Sequence, residues 1–350
     1  MPTSIKLIVT LIVVSFTSCN SQEKNRNNNQ DKMMKKFEWR PSANAPKYYP
    51  VEIISGNFYM EDNSSVYIPK GHILMSGWGK TGATHIVGED FKAIPNKFDI
   101  KWVSYLEEKF YGGSFTLPKD KITNLFEEGF IGLLGKKETY TNILVGLAPG
   151  GIIFVWLYGD ETVEIGRFKA NEIKITKEEF IPNAVLSVEQ FVKETKEDIL
   201  RDDIKGAVDP ENIPFGLWDS YRITYNWKPI FKLKTKGVFT KIYIDYINGE
   251  HIYTIAKNEE IKDYQLKALP ERMTLYWEDK NKNVFGSKLY FDEAEVKKAF
   301  KTIDINSKTK EIDMLFEVDK YNGTMEITIN SDTESIKLEK TIIKIFETTK

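Results

Sequence analysis

Residues 92–102, KAIPNKFDIKW, decide the fold because they recur as residues 267–277, KALPERMTLYW. The offset stays at 175 residues, from Lys92 to Lys267 and again from Trp102 to Trp277. After the proline, each run alternates strongly apolar residues with more polar ones, which is the period of a half-buried strand. Self-similarity at a fixed spacing indicates that one structural unit has been duplicated.

The repeat continues on both sides of these runs. Upstream, Trp39-Arg40-Pro41 resembles Trp227-Lys228-Pro229. Downstream, a short helix is predicted in each copy. Pro118 suits the first turn of the first helix and Gly129 suits its end. Asp292 and Glu295 form a capping-box pattern for the second helix.

A meander of strands is predicted to close each copy. Turn signals of Gly, Pro, Asn and Asp separate the apolar runs. The predicted strands are 143–147, 152–158 and 162–168 in the first copy, and 312–318, 324–329 and 335–343 in the second.

These patterns predict a mainly β (α+β) fold of two tandem antiparallel β-sandwich-like domains, each with one short helix, joined by a helical linker. The first copy is placed at residues 37–175 and the second at 219–350. The linker, 176–218, contains a helix at 187–200 that Ser187 caps. We expect its apolar face to pack between the two domains.

The first residues are predicted to direct export rather than to fold. Lys6 and the apolar run 7–14 are typical of a signal peptide, assigned to residues 1–18. Small residues precede Cys19, which favours cleavage there and lipidation of its sulfur, although an incidental cysteine after an ordinary signal is the alternative. Residues 19–36 are expected to be the lipidated cysteine and a disordered tether. Asn20 is not a retention aspartate, which favours the outer membrane of the cell envelope.

Composition excludes several classes of function. The formal net charge is −2, too little positive charge for a nucleic acid partner. The mean hydropathy of −0.38 excludes a polytopic membrane protein. Cys19 is the single cysteine, so an internal disulfide or a redox pair is excluded. No cofactor is predicted, and the sequence leaves the oligomeric state open.

The first copy carries an insertion, Asp62 to Asp90, that the second copy lacks. It is rich in Gly, His and Trp, and long loops on a rigid sheet are common binding sites. The alternative is a glycine-rich loop that only covers a sheet edge. The candidate binding residues of this insertion are His72, Trp78, Lys80, His85, Glu89 and Asp90.

The sequence does not match the residue patterns of more specific ligand-binding, metal-binding or catalytic motifs. A phosphate-binding loop ending at Gly79-Lys80-Thr81 needs a glycine where Leu74 stands. The neighbours of His85 argue against the helix on which a histidine and carboxylate metal site is usually built, so no metal site is predicted. The nucleophile elbow Gly-x-Ser-x-Gly does not occur in the sequence. His251 follows a hairpin signal and is predicted to be a solvated turn residue.

Three runs resemble the bacterial lipoproteins of domain-of-unknown-function family 2931. They are residues 45–52 (APKYYPVE), Gly77-Trp78-Gly79 with residues 84–90 (THIVGED), and residues 146–151 (GLAPGG). The second copy lacks the second of these runs. The resemblance supplies no catalytic residues to carry over, and it implies an immunity-type role beside a secreted effector.

Three hypotheses follow for function. The first is a lipid-anchored binding module that holds a protein partner and is not an enzyme. The second is a hydrolase that uses His85, Glu89 and Asp90 of the insertion. The third is a structural accessory lipoprotein without a discrete ligand.

Overall fold

The computed structural model describes residues 35–86 and 88–348, of which 45% lie in strands and 16% in helices. The predicted signal peptide and Cys19 lie outside the described residues. The first strand begins at Lys36, the last residue of the predicted tether. Within the described ranges, no helix is both long and apolar enough to cross a membrane.

The first copy consists of strands of two to nine residues and one helix. Its strands are β1 (Lys36–Glu38), β2 (Arg40–Asn44), β3 (Val51–Tyr59), β4 (Ser65–Tyr67), β5 (Ile73–Leu74), β6 (Ala83–Thr84), β7 (Phe91–Ala93), β8 (Lys97–Ser104), β9 (Lys109–Thr116), β10 (Phe130–Ile131), β11 (Lys137–Glu138), β12 (Asn142–Ala148), β13 (Ile152–Tyr158), β14 (Glu161–Lys169) and β15 (Asn171–Ile173), with α1 (Lys119–Glu128) after β9.

Three helices connect the copies: α2 (Lys177–Phe180), α3 (Val188–Asp202) and α4 (Leu217–Ser220). The second copy comprises β16 (Tyr225–Leu233), β17 (Gly237–Tyr246), β18 (His251–Ile255), a 3-10 turn (Glu259–Lys262), β19 (Gln265–Lys267), β20 (Pro270–Asp279), β21 (Val284–Tyr290), α5 (Glu293–Asn306), β22 (Ile312–Val318), β23 (Met325–Asn330), β24 (Ser335–Lys337) and β25 (Ile342–Thr348).

The two copies have the same sheet topology, which confirms the β-sandwich-like fold class. The strand order β15-β9-β8-β3-β4 of the first copy matches β25-β21-β20-β17-β18 of the second. The order β14-β13-β12-β2 likewise matches β24-β23-β22-β16. Each copy departs from an all-antiparallel arrangement at one place, because β12 is parallel to β2 and β22 is parallel to β16.

The repeated tryptophan and lysine form the same contacts in both copies. The indole Nε1 of Trp39 donates a hydrogen bond to the carbonyl oxygen of Ala93 at 3.2 Å. The ammonium of Lys92 donates to the carbonyl oxygen of Trp39 at 2.9 Å and lies over the Trp39 ring. Trp227, Lys267 and Ala268 repeat these contacts in the second copy. The repeated residues therefore form the same core contact in both copies.

The copies share one sheet. β14 of the first copy pairs with β18 of the second, with Glu161 opposite Ile252 and Thr162 opposite His251. This pairing creates a ten-stranded sheet that runs from β25 through β18 and β14 to β6. The domain boundaries drawn from the sequence stay a prediction, but the halves are joined by backbone hydrogen bonds as well as by a linker.

The linker helix begins as predicted and packs differently from the prediction. Ser187 accepts a hydrogen bond from the Gln190 amide, and the Gln190 side chain returns one, which completes a capping box. The apolar face of α3 packs against Val103 and Tyr105 of the first copy. The prediction that this helix packs between the domains is wrong, because its apolar partners come from the first copy and the linker.

Two other local predictions need correction. Asp292 caps α5 by accepting from the Glu295 amide, but the Glu295 carboxylate accepts from the amide of Lys340 instead of closing the box. The predicted strand 335–343 is two strands, because the chain leaves one sheet after β24, which pairs with β23, and joins the other as β25, which pairs with β21.

Candidate functional site

The insertion of the first copy packs onto the second copy through glycine. Gly79 has a φ of +67°, and a side chain there would overlap the carbonyl oxygen of Gly249 in the turn between β17 and β18. Gly249 has a φ of +88°, and a Cβ on it would lie 2.9 Å from the Cα of Gly79. Only glycine allows both the left-handed backbone and this approach.

Asp245 of β17 is the carboxylate on which the charged side chains at this contact converge. Its side chain is 6% exposed and accepts from the ammonium of Lys80 in the insertion. The Tyr253 hydroxyl donates to it at 2.7 Å, and Arg272 Nε donates at 2.7 Å. Burial alone would raise the pKa of Asp245, but these cations and the hydroxyl outweigh burial and hold that pKa below its usual range.

A cleft of about 620 Å³ opens beside this network, and we call it the junction cleft. Its walls come from the first-copy segments around Tyr49 and Trp78, from α4, and from β20, β21 and α5 of the second copy. Its aromatic lining side chains are Tyr49, Trp78, Trp218, Tyr221, Tyr290 and Phe291. Its charged lining side chains are Lys47, Lys80, Glu271, Arg272 and Glu293.

The aromatic wall is held by ring contacts that reach back into the first copy. The Trp78 ring lies 4.9 Å from that of Trp156 and 5.0 Å from that of Phe154, both edge-on. Trp218 of α4 lies 5.1 Å from Tyr49, also edge-on. Rigid aromatic side chains in a concave surface lose little rotamer entropy on binding a ligand.

A second and smaller groove holds the two histidines of the insertion. His72 and His85 have ring centroids 6.1 Å apart, and both line a groove of about 560 Å³. The Tyr67 ring contacts His85 edge-on at 5.4 Å. The described residues contain no group of three or more His, Cys, Asp or Glu side chains arranged to hold a metal ion.

The remaining two candidates lie outside both cavities. Glu89 is exposed and accepts from Lys36 at 3.1 Å. The Asp90 side chain is exposed, and its backbone oxygen accepts weakly from Lys92 at 3.4 Å. The structure thus pairs Trp78 with Lys80 in one cavity and His72 with His85 in another, and it does not gather His85, Glu89 and Asp90 around one cavity.

His251 is not the solvated turn residue that the sequence predicts. It is fully buried at the start of β18, where Nε2 donates to the carbonyl oxygen of Gly159 at 2.8 Å. Its ring stacks on Tyr253 with centroids 4.2 Å apart. Burial lowers the pKa of His251 to about 4, so the imidazole is neutral at physiological pH. The reason for the error is that β14, a distant strand, covers this turn.

Comparison with known proteins gives one match. A family model described as "Protein of unknown function (DUF2931)" matches residues 21–216. The chain belongs to this family. Neither the curated proteins nor the solved structures contain a match to it.

The DUF2931 match covers only one side of the junction cleft. It includes the insertion with Trp78 and Lys80 but ends at Gly216, before the second copy begins. Asp245, Glu271 and Arg272 therefore lie beyond the matched residues. The cleft in this chain combines a family segment with a wall that the duplicated copy supplies.

Sequence reasoning missed the second-copy residues of the cleft. Glu271 and Arg272 lie within the quoted repeat, where the first copy has Asn96 and Lys97 at the same offset. The change from the neutral Asn96 in the first copy to the carboxylate of Glu271 in the second could have marked Glu271 as a candidate. The change could be interpreted only once the insertion was known to lie beside Glu271.

Proposed function

We propose that this DUF2931 protein is a lipid-anchored binding module of the cell envelope that holds a protein partner at the junction cleft. The observation that carries the proposal is the cleft itself, which combines an aromatic wall with charged residues from both copies. Binding sites are usually concave and mostly apolar with a few placed polar groups. The sequence supports the anchor, through the signal peptide pattern and Cys19.

The size of the cleft favours a side chain or a short segment of a larger partner. About 620 Å³ is the volume of a small-ligand site rather than of an extended protein interface. In protein interfaces, a few buried aromatic and charged anchors supply most of the binding free energy. Trp78 is suited to be such an anchor because it is only partly buried and its ring is fixed by that of Trp156.

The anchor places the partner site beside a membrane. In this proposal lipid on Cys19 holds the module at the cell envelope, so the partner is captured there. The family resemblance implies an immunity-type version of this role, with a secreted effector as the partner.

The alternatives receive less support from the geometry. The hydrolase hypothesis relied on His85, Glu89 and Asp90, but His85 lines the second groove while Glu89 is exposed and pairs with Lys36. The accessory hypothesis favoured a smooth surface over the insertion, whereas the insertion lines two cavities.

Site-specific photo-crosslinking in living cells tests the proposal. A photoreactive phenylalanine replaces Tyr290 in the cleft or, as the control, Tyr321, which is 76% exposed in the turn before β23. We expect a discrete protein adduct from position 290 and none from position 321. Equal labelling at both positions, or none at 290, would contradict a partner site in the cleft.

The anchor is tested separately. Metabolic labelling with a radioactive fatty acid should mark the wild-type protein, and Cys19→Ser should abolish the label. An unlabelled wild-type protein would remove the lipid anchor from the proposal without affecting the crosslinking result.

A further inference from the structure

We propose that the junction cleft binds an organic cation, the ammonium or guanidinium of a lysine or arginine on the partner, with Glu271 as its counter-charge. This inference rests on the proposed function, because it names the chemistry that the partner presents. It is argued from how the charges of the cleft are already paired.

Two carboxylates, Glu271 and Glu293, line the cleft, and a third, Asp245, pairs with its lining cations; two of these three have cations of this chain. Asp245 has Lys80 and Arg272. Glu293 accepts from Lys297 at 2.6 Å. Glu271 makes no side-chain hydrogen bond or ion pair with the described residues. It is thus the carboxylate of the cleft that remains available to a ligand.

The surroundings of Glu271 favour a cation over an anion. The two cations that act electrostatically on Glu271, Lys80 and Arg272, already donate to Asp245, so they are not free to clamp an incoming carboxylate or phosphate. Lys47, the third cation of the lining, is exposed, and its ammonium lies 4.7 Å from the centre of the Tyr48 ring. Glu293 adds further negative charge on the same wall. Desolvation by the surrounding protein, reinforced by Asp245 and Glu293, raises the pKa of Glu271 against the opposing effect of Lys80 and Arg272. The residue nevertheless remains exposed, so its carboxylate is accessible to a cationic partner.

The aromatic wall completes a cation site. Ammonium and guanidinium groups bind over the faces of Trp and Tyr rings. The cleft already contains one such arrangement, because Lys297 Nζ lies 4.7 Å from the Tyr221 ring centre while it pairs with Glu293. Glu271 and the ring of Trp78 line the same cleft and offer this combination of carboxylate and aromatic face. Within the described residues no cation lies over the Trp78 ring, whereas the Tyr290 ring already has Lys344 Nζ 5.8 Å from its centre.

The experiment uses the folded protein, without its signal peptide, and three blocked tripeptides. Acetyl-Gly-Arg-Gly-amide is the probe, and the Gly-Asp-Gly and Gly-Ser-Gly equivalents are its controls. Binding is followed by the ¹⁵N–¹H signals of the indoles, with Trp78 assigned by Trp78→Phe. We expect the arginine peptide alone to shift the Trp78 signal, with a dissociation constant on the order of 1 mM at low salt.

Two isosteric variants make the result specific. Glu271→Gln keeps the shape of the cleft and should weaken binding of the arginine peptide at least tenfold. Glu278→Gln, on the same strand but paired with Lys282 away from the cleft, should leave it unchanged. Equal affinity in Glu271→Gln and wild type, or an equal response to the aspartate or serine peptide, would overturn the inference. Saturable binding of a neutral oligosaccharide with no response to arginine would overturn it as well.

The outcome is separable from that of the proposed function. An adduct at position 290 with no response to the arginine peptide would reject the cation and keep the partner. A response that depends on Glu271, with no adduct in cells, would keep the cation and reject the protein partner.

Discussion

Gly79 of the first copy and Gly249 of the second lie backbone against backbone, and the junction cleft is built beside this contact. Both residues have a positive φ, and each is positioned where a side chain on the other would overlap it. The Gly-Trp-Gly-Lys segment of the insertion therefore joins the two copies, with Trp78 directed to the cleft and Lys80 to Asp245.

Substitution of Gly79 should destabilise the protein by more than its backbone conformation alone would cost. We expect Gly79→Ala to lower the free energy of unfolding by about 2–4 kcal/mol, from overlap with Gly249 and a strained φ. The control is Gly71→Ala, at a φ of +75° with open space around it, which should cost only about 1 kcal/mol. Urea unfolding measures both. Equal losses would show that the close approach is not a constraint.

Removal of the Asp245 charge should be costly at neutral pH and less so in acid. We expect Asp245→Asn to lower the free energy of unfolding by about 2–4 kcal/mol at pH 7, because Lys80 and Arg272 lose a buried partner. The folded pKa of Asp245 is depressed, so its contribution is present above the usual aspartate pKa and is lost as the pH falls through the folded value.

Unfolding of wild type and Asp245→Asn at several pH values checks this. The difference between them should shrink below about pH 4. Glu259→Gln, which removes an exposed pair with Lys262, should change stability by less than about 0.5 kcal/mol at every pH. A difference for Asp245→Asn that does not vary with pH would point to packing rather than to charge.

Local pattern was sufficient to predict several elements of the repeat. The alternation in residues 98–102 predicted β8, and Ser187 predicted the start of α3. Both predictions were correct because these two elements depend on residues that are neighbours in sequence. The burial of His251 depends on Gly159 and Thr162, about ninety residues away, while the local signal, Asn248-Gly249, is that of an exposed turn.

The candidate site was predictable only in part for the same reason. Density of Gly, His and Trp identified the insertion, and two of its candidates, Trp78 and Lys80, do line the junction cleft. Their partners Asp245 and Glu271 come from strands of the other copy. A contact between copies leaves no periodic trace in either one, so the sequence could not place the cleft.

The pH dependence of stability should reflect the protonation of His251, which is buried where the two copies meet. Because its folded pKa is lowered to about 4, the neutral imidazole contributes stability above its usual pKa of about 6.5, and this contribution is lost as the pH falls toward 4. We expect a loss on the order of 3 kcal/mol between pH 7 and pH 4 from this group. An NMR titration should show one imidazole with a pKa near 4; its absence, with His251 charging above pH 6, would contradict the buried position.

The paired tryptophans should be energetically equivalent if the duplication is structural. Trp39→Phe and Trp227→Phe each remove an indole hydrogen bond to an alanine carbonyl and part of a buried ring. We expect each to lower the free energy of unfolding by about 2–3 kcal/mol. Trp102→Phe is the matched control, because Trp102 is equally buried but its Nε1 has no hydrogen-bond partner in the described part of the chain. It should cost less than either, since it removes a buried donor that is unsatisfied. Denaturant unfolding of the three variants measures these losses of unfolding free energy. No loss in Trp227→Phe beside a large loss in Trp39→Phe would mean that the second copy retains the repeated residues without their stabilising role in its core.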